Sequence, residues 1–366
     1  MKLIIKPIDW DNYESPQYSP ENKDELKKII EVLIAKDGLK CNLNIIDTSK
    51  ITDMSELFYD SEFNGDISQW DVSNVKNMSW MFAGSKFNGD ISDWNVSKVE
   101  NMSGMFANNL KHKLENKNDN AKDPKHNVKI ENYIFKSAEF NGDISTWDVS
   151  NVKNMNYMFL GSQFNGDISK WNVSNVECME IMFKNAKFNG DISEWNVSKV
   201  TNMSGMFWGS QFNGKISEWN VSDVKKMNDM FLESQFNGDI SKWDVSNVDD
   251  MSCMFDNSQF DNDISCWIVT NVRDMAGMFY GSKFNGNISN WDVSNVEDMH
   301  WMFNESQFNG DISNWDVSNV KNMDCIFYNS KFDGDISKWV MNKECKMKNA
   351  FDNSPLATQP EKQPKF

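Results

Sequence analysis

Side chains that carry catalytic or metal chemistry are few in this sequence. It holds three histidines and six cysteines, with no C-x-x-C pair, no Cys/His cluster and no nucleophile that has a credible base partner. Zinc sites and nucleophilic catalysis require such residues at defined spacing, and no segment matches the phosphate-binding pattern G-x-x-x-x-G-K. The sequence therefore predicts a protein that is not an enzyme and that has neither a cofactor nor a metal.

Polar side chains recur instead in regular rows. A row of Asp or Asn starts at Asp71 and a row of Ser or Thr starts at Ser73, both with a 24-residue period. Such rows suit a cation, a glycan or ice as a ligand, or they bond along a stack and cap turns. Their monotony favours the structural interpretation. Calcium is disfavoured because each Asn-Gly-Asp turn offers one Asp, whereas the ion takes roughly six to eight oxygens.

The rows follow a repeat that eleven tryptophans mark. The spacing is 24 residues except for one gap of 53, and the residues are Trp70, Trp94, Trp147, Trp171, Trp195, Trp219, Trp243, Trp267, Trp291, Trp315 and Trp339. A fixed period of this length predicts a solenoid, in which each coil buries its apolar face against its neighbours. Coils that begin at Leu43, Ile67 and Ile91, one irregular unit, and nine coils from Ile144 to Ile336 give thirteen coils over residues 43–356.

Apolar spacing within one coil predicts its local structure. Ile67, Trp70 and Val72 follow the L-x-x-L-x-L pattern, which predicts a strand of a parallel sheet on the concave side. From Val75 to Phe82 the apolar residues recur at three- and four-residue intervals. This spacing predicts a short helix or a 3₁₀ turn on the convex side.

The two ends differ from the repeat. Residues 1–42 are predicted to form an N-terminal cap of a strand and a helix, with Ser19-Pro20 at the start of the helix. Such a cap would cover the exposed edge of the first coil. Residues 357–366 are polar and rich in proline, and they are predicted to be a disordered tail.

The gap between Trp94 and Trp147 contains an irregular unit at about residues 107–135, rich in lysine within a chain of formal charge -17. As a protruding loop it would bind an acidic partner, and as a decayed repeat it would be a tolerated bulge. Both interpretations stay open. The candidate partner-binding residues are Lys111, Lys113, Lys122 and Lys125 of this unit, with Asp93 and Thr146 at the concave positions beside it.

The repeat V-x-x-M-x-x-M-F-x-x-S-x-F-N-G-D-I-S-x-W-D-V-S resembles the BspA-type (Treponema-type) leucine-rich repeats over residues 43–356. Its FNGDIS-W-DVSNV form is similar to surface-protein repeats of AT-rich mycoplasmas, spirochaetes and some large DNA viruses. The resemblance implies a right-handed, leucine-rich-repeat-like stack and a location at a cell or virion surface.

Composition limits the function further. The 54 acidic against 37 basic residues disfavour nucleic acid as a partner, and the absence of a long apolar run disfavours membrane insertion. The first residues do not form a signal peptide, so a cytoplasmic location is the alternative to the surface. Two functions stay open. One is an interaction protein whose solenoid face binds a protein or a glycan, and the other is a structural spacer or self-assembling scaffold without a specific ligand.

Overall fold

The computed structural model describes residues 16–109 and 136–365. Helices in this part of the chain are one α-helix, α1 (Lys23–Asp37), and two short 3₁₀ helices, Pro355–Thr358 and Pro360–Lys362. The remaining described residues form turns and isolated β-bridges, which stack as successive coils. The chain is therefore a repeat protein whose coils are built from turns.

The segment that contains tryptophan consists of two turns. In the coil that starts at Ile67, the Trp70 N–H donates to the Ile67 carbonyl at 3.2 Å, and the Val75 N–H donates to the Val72 carbonyl at 2.9 Å. Asp71 Oδ1 accepts from the Ser73 N–H at 2.9 Å, which bends the chain between these turns. The predicted strand at Ile67, Trp70 and Val72 is therefore wrong, because the Asx turns bend the backbone that a strand would extend.

The coils pair through the segment that starts at Met78. Alternate N–H groups donate to the next coil at 2.8–3.0 Å, from Met78, Trp80, Phe82 and Gly84 to the carbonyls of Asn101, Ser103, Met105 and Ala107. Between them, Met81 and Ala83 donate within the coil to Met78 and Trp80, and Trp80 has a φ of 58°. The parallel bridges also lie here, at the positions equivalent to Asn77. No helix forms in this segment of any described coil, because every second N–H is directed to the neighbouring coil.

The row of bridges gives the number of coils. It runs through twelve residues, Asp53, Asn77, Asn101, Asn154, Cys178, Asn202, Lys226, Asp250, Asp274, Asp298, Asn322 and Lys346. Asn101 pairs directly with Asn154, so no separate coil lies between them. The prediction of thirteen coils is therefore wrong, and the irregular unit at about residues 107–135 is an insertion within the coil that starts at Ile91.

The two ends of the insertion are held by backbone and side-chain contacts. Asn109 and Lys136 form an antiparallel bridge, in which the Asn109 N–H donates to the Lys136 carbonyl at 2.9 Å. Asn108 Oδ1 accepts from the Ala138 N–H at 2.9 Å, and its Nδ2 donates to the Gly161 carbonyl at 2.8 Å. The Asn108 amide therefore joins the two halves of the coil, which elsewhere are connected by a peptide bond.

Deleting residues 109–137 is expected to leave the stack folded, with an unchanged or raised Tm. The deletion joins Asn108 to Ala138 and restores the 24-residue spacing, since the gap between Trp94 and Trp147 exceeds it by 29. Removing a loop of this length recovers roughly 3 kcal/mol of closure entropy. Thermal unfolding followed by circular dichroism tests this result. A loss of cooperative unfolding in the deletion variant would mean that the insertion is part of the stack.

The core consists of aligned columns of aromatic rings. All eleven repeat tryptophans are 3–4% exposed, and each Nε1 donates to a carbonyl of the preceding coil, as Trp219 does to Ile192 at 3.1 Å. Phe207 lies 5.8 Å from the equivalent rings of Phe183 and Phe231, measured between ring centroids. Most residues at the Met78 and Met81 positions are methionines that are buried in the same core. Each ring therefore packs against the coils on both sides of it.

Helix α1 lies over the first coil. Leu26, Ile30 and Leu33 are buried in the main core. The N-cap is Asn22, whose Oδ1 accepts from the Glu25 N–H at 3.1 Å. The predicted start at Ser19-Pro20 is therefore wrong, because Ser19 Oγ donates instead to Asp47 Oδ2 at 3.2 Å. The strand that was predicted near the N-terminus falls on residues 1–15, outside the described residues.

The C-terminal segment packs on the last coil. The Ile336 N–H donates to the Lys362 carbonyl at 2.9 Å, and Gln359 Nε2 donates to Asp333 Oδ1 at 2.7 Å. Pro364 is buried. The prediction of a disordered tail at 357–366 is therefore wrong for residues 357–365. Two 3₁₀ helices that begin at prolines, and the bonds from the Gln359 and Lys362 side chains to Asp333, hold this polar segment against the last coil.

Candidate binding face

The turns around tryptophan form a side that we call the Trp side, defined by the positions of Asp66 to Asn74 in each coil. The Asp and Asn side chains at the Asp66 and Asp71 positions cap turns. The Oδ1 atom of each accepts a hydrogen bond from the backbone N–H two residues later, as Asp167 Oδ1 does from the Ser169 N–H at 2.9 Å. Asn74 Nδ2 donates to the Ser49 carbonyl of the preceding coil at 2.8 Å, and equivalent bonds recur along the stack. These side chains therefore cap turns and join coils.

One column of aspartates at this side has pKa values below the ordinary value. In each case the first cause is the backbone N–H of the serine two residues later and the second is its hydroxyl, as at Asp90, Asp143, Asp167, Asp191, Asp239, Asp263 and Asp311. A lowered folded-state pKa stabilises the fold above the unfolded value of about 3.9, and this contribution is lost as pH falls through the folded values.

Acid is therefore expected to lower the Tm, and replacing Asp167, Asp191 and Asp239 by asparagine is expected to weaken this dependence. Asparagine is a matched substitute, because Asn287 occupies the same position and accepts from the Ser289 N–H at 3.0 Å. The measurement is the difference in Tm between pH 5 and pH 3 for both proteins. An equal difference would show that these carboxylates do not couple folding to pH.

Two of the six predicted partner-binding residues lie in the described part of the chain. Asp93 and Thr146 are exposed on the Trp side in adjacent coils, and Thr146 Oγ1 donates to the Ser92 carbonyl at 3.1 Å. The insertion leaves the coil at Asn109 and returns at Lys136, at a different turn from these two residues. Lys111, Lys113, Lys122 and Lys125 lie outside the described residues.

The segment that pairs the coils presents a second surface, which we call the varied face. It consists of the side chains at the positions of Ser79, Trp80 and Ala83 in each coil, whereas Met78, Met81 and Phe82 between them enter the core at 0–1% exposure. The residues at the Trp80 position all have positive φ and are Glu56, Trp80, Gly104, Tyr157, Ile181, Gly205, Asp229, Cys253, Gly277, Trp301, Cys325 and Asn349. Those at the Ala83 position are Tyr59, Ala83, Ala107, Leu160, Lys184, Trp208, Leu232, Asp256, Tyr280, Asn304, Tyr328 and Asp352.

The first aromatic patch of the varied face consists of Tyr59, Trp80, Tyr157 and Ile181. These half-buried side chains surround Ala83, Ala107 and Leu160, and the cluster is separate from the main core. Trp80 reaches across one coil to Tyr157, with ring centroids 5.8 Å apart. Gly104 permits this contact, because a Cβ at that position would lie 2.4 Å from the Trp80 ring. Burial first, and then the Glu180 carboxylate, raises the pKa of Tyr157 to about 12.

A cation is held in the middle of the varied face. Lys184 Nζ lies 2.9 Å from the centroid of the Trp208 ring, and the lysine is 8% exposed. Burial lowers the pKa of Lys184 to about 8, against the opposing effect of the Asp229 and Glu233 carboxylates. An aromatic ring with nearby carboxylates therefore holds an ammonium group of the chain itself.

A third group of rings lies toward the C-terminal end. The Tyr280 and Trp301 ring centroids are 6.4 Å apart, and Tyr328 is half-buried in the following coil. His300 packs 5.2 Å from Trp301, and its Nδ1 lies 2.6 Å from Asp298 Oδ1. Asn304 occupies the Ala83 position between the two tyrosines and is buried.

The ends of the insertion rest on the first aromatic patch. Tyr59 Oη donates to Asn109 Oδ1 at 2.6 Å. Lys136 Nζ forms ion pairs with Asp60 Oδ1 at 3.1 Å and Glu62 Oε1 at 2.7 Å. The sequence shows variation at the Trp80 position, but sequence reasoning misses that the Ala83 position belongs to the same face. The signal for the Ala83 position is that small, aromatic and charged residues alternate there from coil to coil.

Other kinds of site find little support in the described chain. Within residues 16–109 and 136–365, no group of three or more His, Cys, Asp or Glu side chains is placed to hold a metal. In the same residues, no helix has the length and apolar character needed to cross a membrane. The six cysteines are free thiols.

Comparison with known proteins identifies the repeat. No curated protein and no solved structure gives a match. One family model matches four times in tandem, at residues 29–129, 116–211, 185–283 and 256–363. These matches together span nearly the whole chain and fit the mycoplasma repeat subtype that the motif indicated. The chain therefore belongs to the family described as "Mycoplasma protein of unknown function, DUF285".

Proposed function

We propose that this chain is a non-enzymatic interaction protein whose varied face binds a protein or glycan partner at the surface of a cell or particle. The observation that carries the proposal is the concentration of aromatic, charged and small residues at the Trp80 and Ala83 positions, beside core positions that hardly vary. As part of this proposal, the coils form a right-handed solenoid related to the BspA-type leucine-rich repeats.

The varied face suits recognition better than the Trp side. Recognition needs different chemistry at different positions, and partly exposed tyrosine and tryptophan are enriched in binding surfaces because they combine apolar area with a polar group. Trp80, Tyr157, Trp208, Trp301 and Tyr328 are all half-buried on this face. On the Trp side, the repeated Asp and Asn side chains already bond the backbone, so a partner would have to displace those bonds.

The lysines of the insertion belong to the same proposal as a steering element. A basic segment on a chain of charge -17 would attract an acidic partner, with an effect that weakens as salt rises. Its ends lie beside Tyr59, so such a partner would arrive next to the first aromatic patch. The alternative of a structural spacer predicts that no partner binds either side.

The test compares two matched double variants in capture from a host surface extract. Replacing Trp80 and Tyr157 by serine removes two half-buried rings outside the main core and is expected to abolish capture while the chain still folds. The control replaces Asp93 and Thr146 by alanine, which alters two exposed residues of the Trp side. Loss of capture in the control alone would move the site to the Trp side, and absence of any captured partner would leave the spacer alternative.

A further inference from the structure

Asn304 is an unusual residue of the varied face. It is 6% exposed, and its Oδ1 is buried without a hydrogen-bond donor from the described part of the chain. Other buried polar side chains of the face have such partners, as Asp256 does, whose Oδ1 accepts from Asn257 Nδ2 at 2.8 Å. Native proteins rarely keep a buried acceptor unpaired, because its desolvation is then uncompensated. A donor from outside the chain would satisfy this oxygen once the half-buried side chains beside it move apart to admit the donor.

Three aromatic residues occupy positions next to Asn304, in its own coil and in the two neighbouring coils. The Asn304 N–H donates to the Trp301 carbonyl at 3.0 Å, and its row places it between Tyr280 and Tyr328 in the neighbouring coils. Tyr280 and Trp301 contact each other with an interplanar angle of 58°. We call the residues Tyr280, Trp301, Asn304 and Tyr328 the third patch. It offers ring faces and one unpaired acceptor.

The charges near the third patch are engaged or directed to solvent. Asp298 Oδ1 contacts His300 Nδ1 at 2.6 Å, and Asp324 Oδ1 accepts from the Lys348 N–H at 2.7 Å. Glu305 is exposed. Where the varied face holds a cation, carboxylates lie near the ring: the Lys184 ammonium lies on Trp208, with Asp229 and Glu233 nearby. The third patch has a neutral amide instead, which suits an uncharged ligand with hydroxyl groups.

We propose that the third patch binds a neutral pyranose ring of a glycan. The C–H face of a sugar ring packs on aromatic side chains, and one of its hydroxyls donates to Asn304 Oδ1. This inference rests on the proposed function, because it names the ligand class of the varied face. It places the sugar at Tyr280, Trp301 and Tyr328, and it assigns no sugar to the first aromatic patch.

The test uses an array of neutral and acidic glycans, followed by titration with the best neutral oligosaccharide. The full chain is expected to retain neutral glycans, and Asn304→Leu is expected to weaken binding by about tenfold or more because the acceptor is lost. The same variant is expected to raise the Tm, since leucine fills the buried site without an unpaired polar atom. Trp301→Ala should also weaken binding, and Asn290→Leu, at an exposed asparagine of the Trp side, serves as the control that should not.

Opposite changes in stability and binding for Asn304→Leu support the proposal. It is overturned if the wild-type chain retains no neutral glycan, or if Asn304→Leu raises the Tm and leaves glycan binding unchanged. Retention of a lysine-rich peptide that Asn304→Leu abolishes would replace the sugar by a peptide. Capture that depends on Trp80 and Tyr157 but is indifferent to glycans would overturn this inference and leave the proposed function standing.

Discussion

Replacing Trp219 by alanine is expected to lower the free energy of unfolding by about 3–5 kcal/mol. The ring is 3% exposed and packs 6.4 Å from the centroid of Phe207 in the preceding coil. Its Nε1 donates to the Ile192 carbonyl at 3.1 Å, so the substitution leaves both a cavity and an unpaired carbonyl. Equilibrium unfolding in urea measures the change.

The control for Trp219 is its neighbour Glu218, which is exposed on the Trp side. Glu218→Ala is expected to change the free energy of unfolding by less than about 0.5 kcal/mol. If both substitutions had small effects, the tryptophan column would be a surface feature.

Replacing Leu26 by alanine is expected to lower the free energy of unfolding by about 2–5 kcal/mol, because Leu26 is a fully buried contact of α1. In a stack of coils, stability is transmitted between neighbours, so loosening the cap should open the first coil before the others. Hydrogen exchange measured by mass spectrometry should show faster exchange in residues 43–66 than in the central coils.

Lys27→Ala is the matched control for Leu26, since Lys27 is exposed on the same helix. It is expected to leave the exchange of the first coil unchanged. Equal exchange of residues 43–66 in wild type and Leu26→Ala would show that α1 does not hold the first coil closed.

The core could be predicted from the sequence because the residues that are buried recur with the 24-residue period. Each coil repeats the same apolar residues at the same places, and the repeat tryptophans are all buried as that pattern requires. The local backbone could not be predicted from apolar spacing alone. The spacing of Ile67, Trp70 and Val72 fits a strand and equally fits two consecutive turns. The deciding signal was the Asp or Asn two residues before serine, as in Asp71 and Ser73, which forms an Asx turn.

The insertion shows what a period does not specify. A spacing of 53 between Trp94 and Trp147 is compatible with a distorted extra coil or with an insertion in one coil. Only the pairing of Asn101 with Asn154 decides between them. A signal was available, because residues 91–108 followed by 138–143 reproduce a complete coil. Of the varied face, only the variation at the Trp80 position could be predicted from the sequence. The Ala83 position lies three residues later, and only the turns between them place both positions on one face.

Side-chain footprinting with hydroxyl radicals tests the binding face most directly. The captured partner is added to the folded chain, and oxidation is measured at Trp80, Tyr157 and Trp208 on the varied face. Cys266 and Ile268 report on the Trp side, where both are exposed. We expect the partner to reduce oxidation of the three aromatic residues and to leave Cys266 and Ile268 unchanged. Protection of Cys266 and Ile268, with unchanged oxidation of the aromatic residues, would contradict the account.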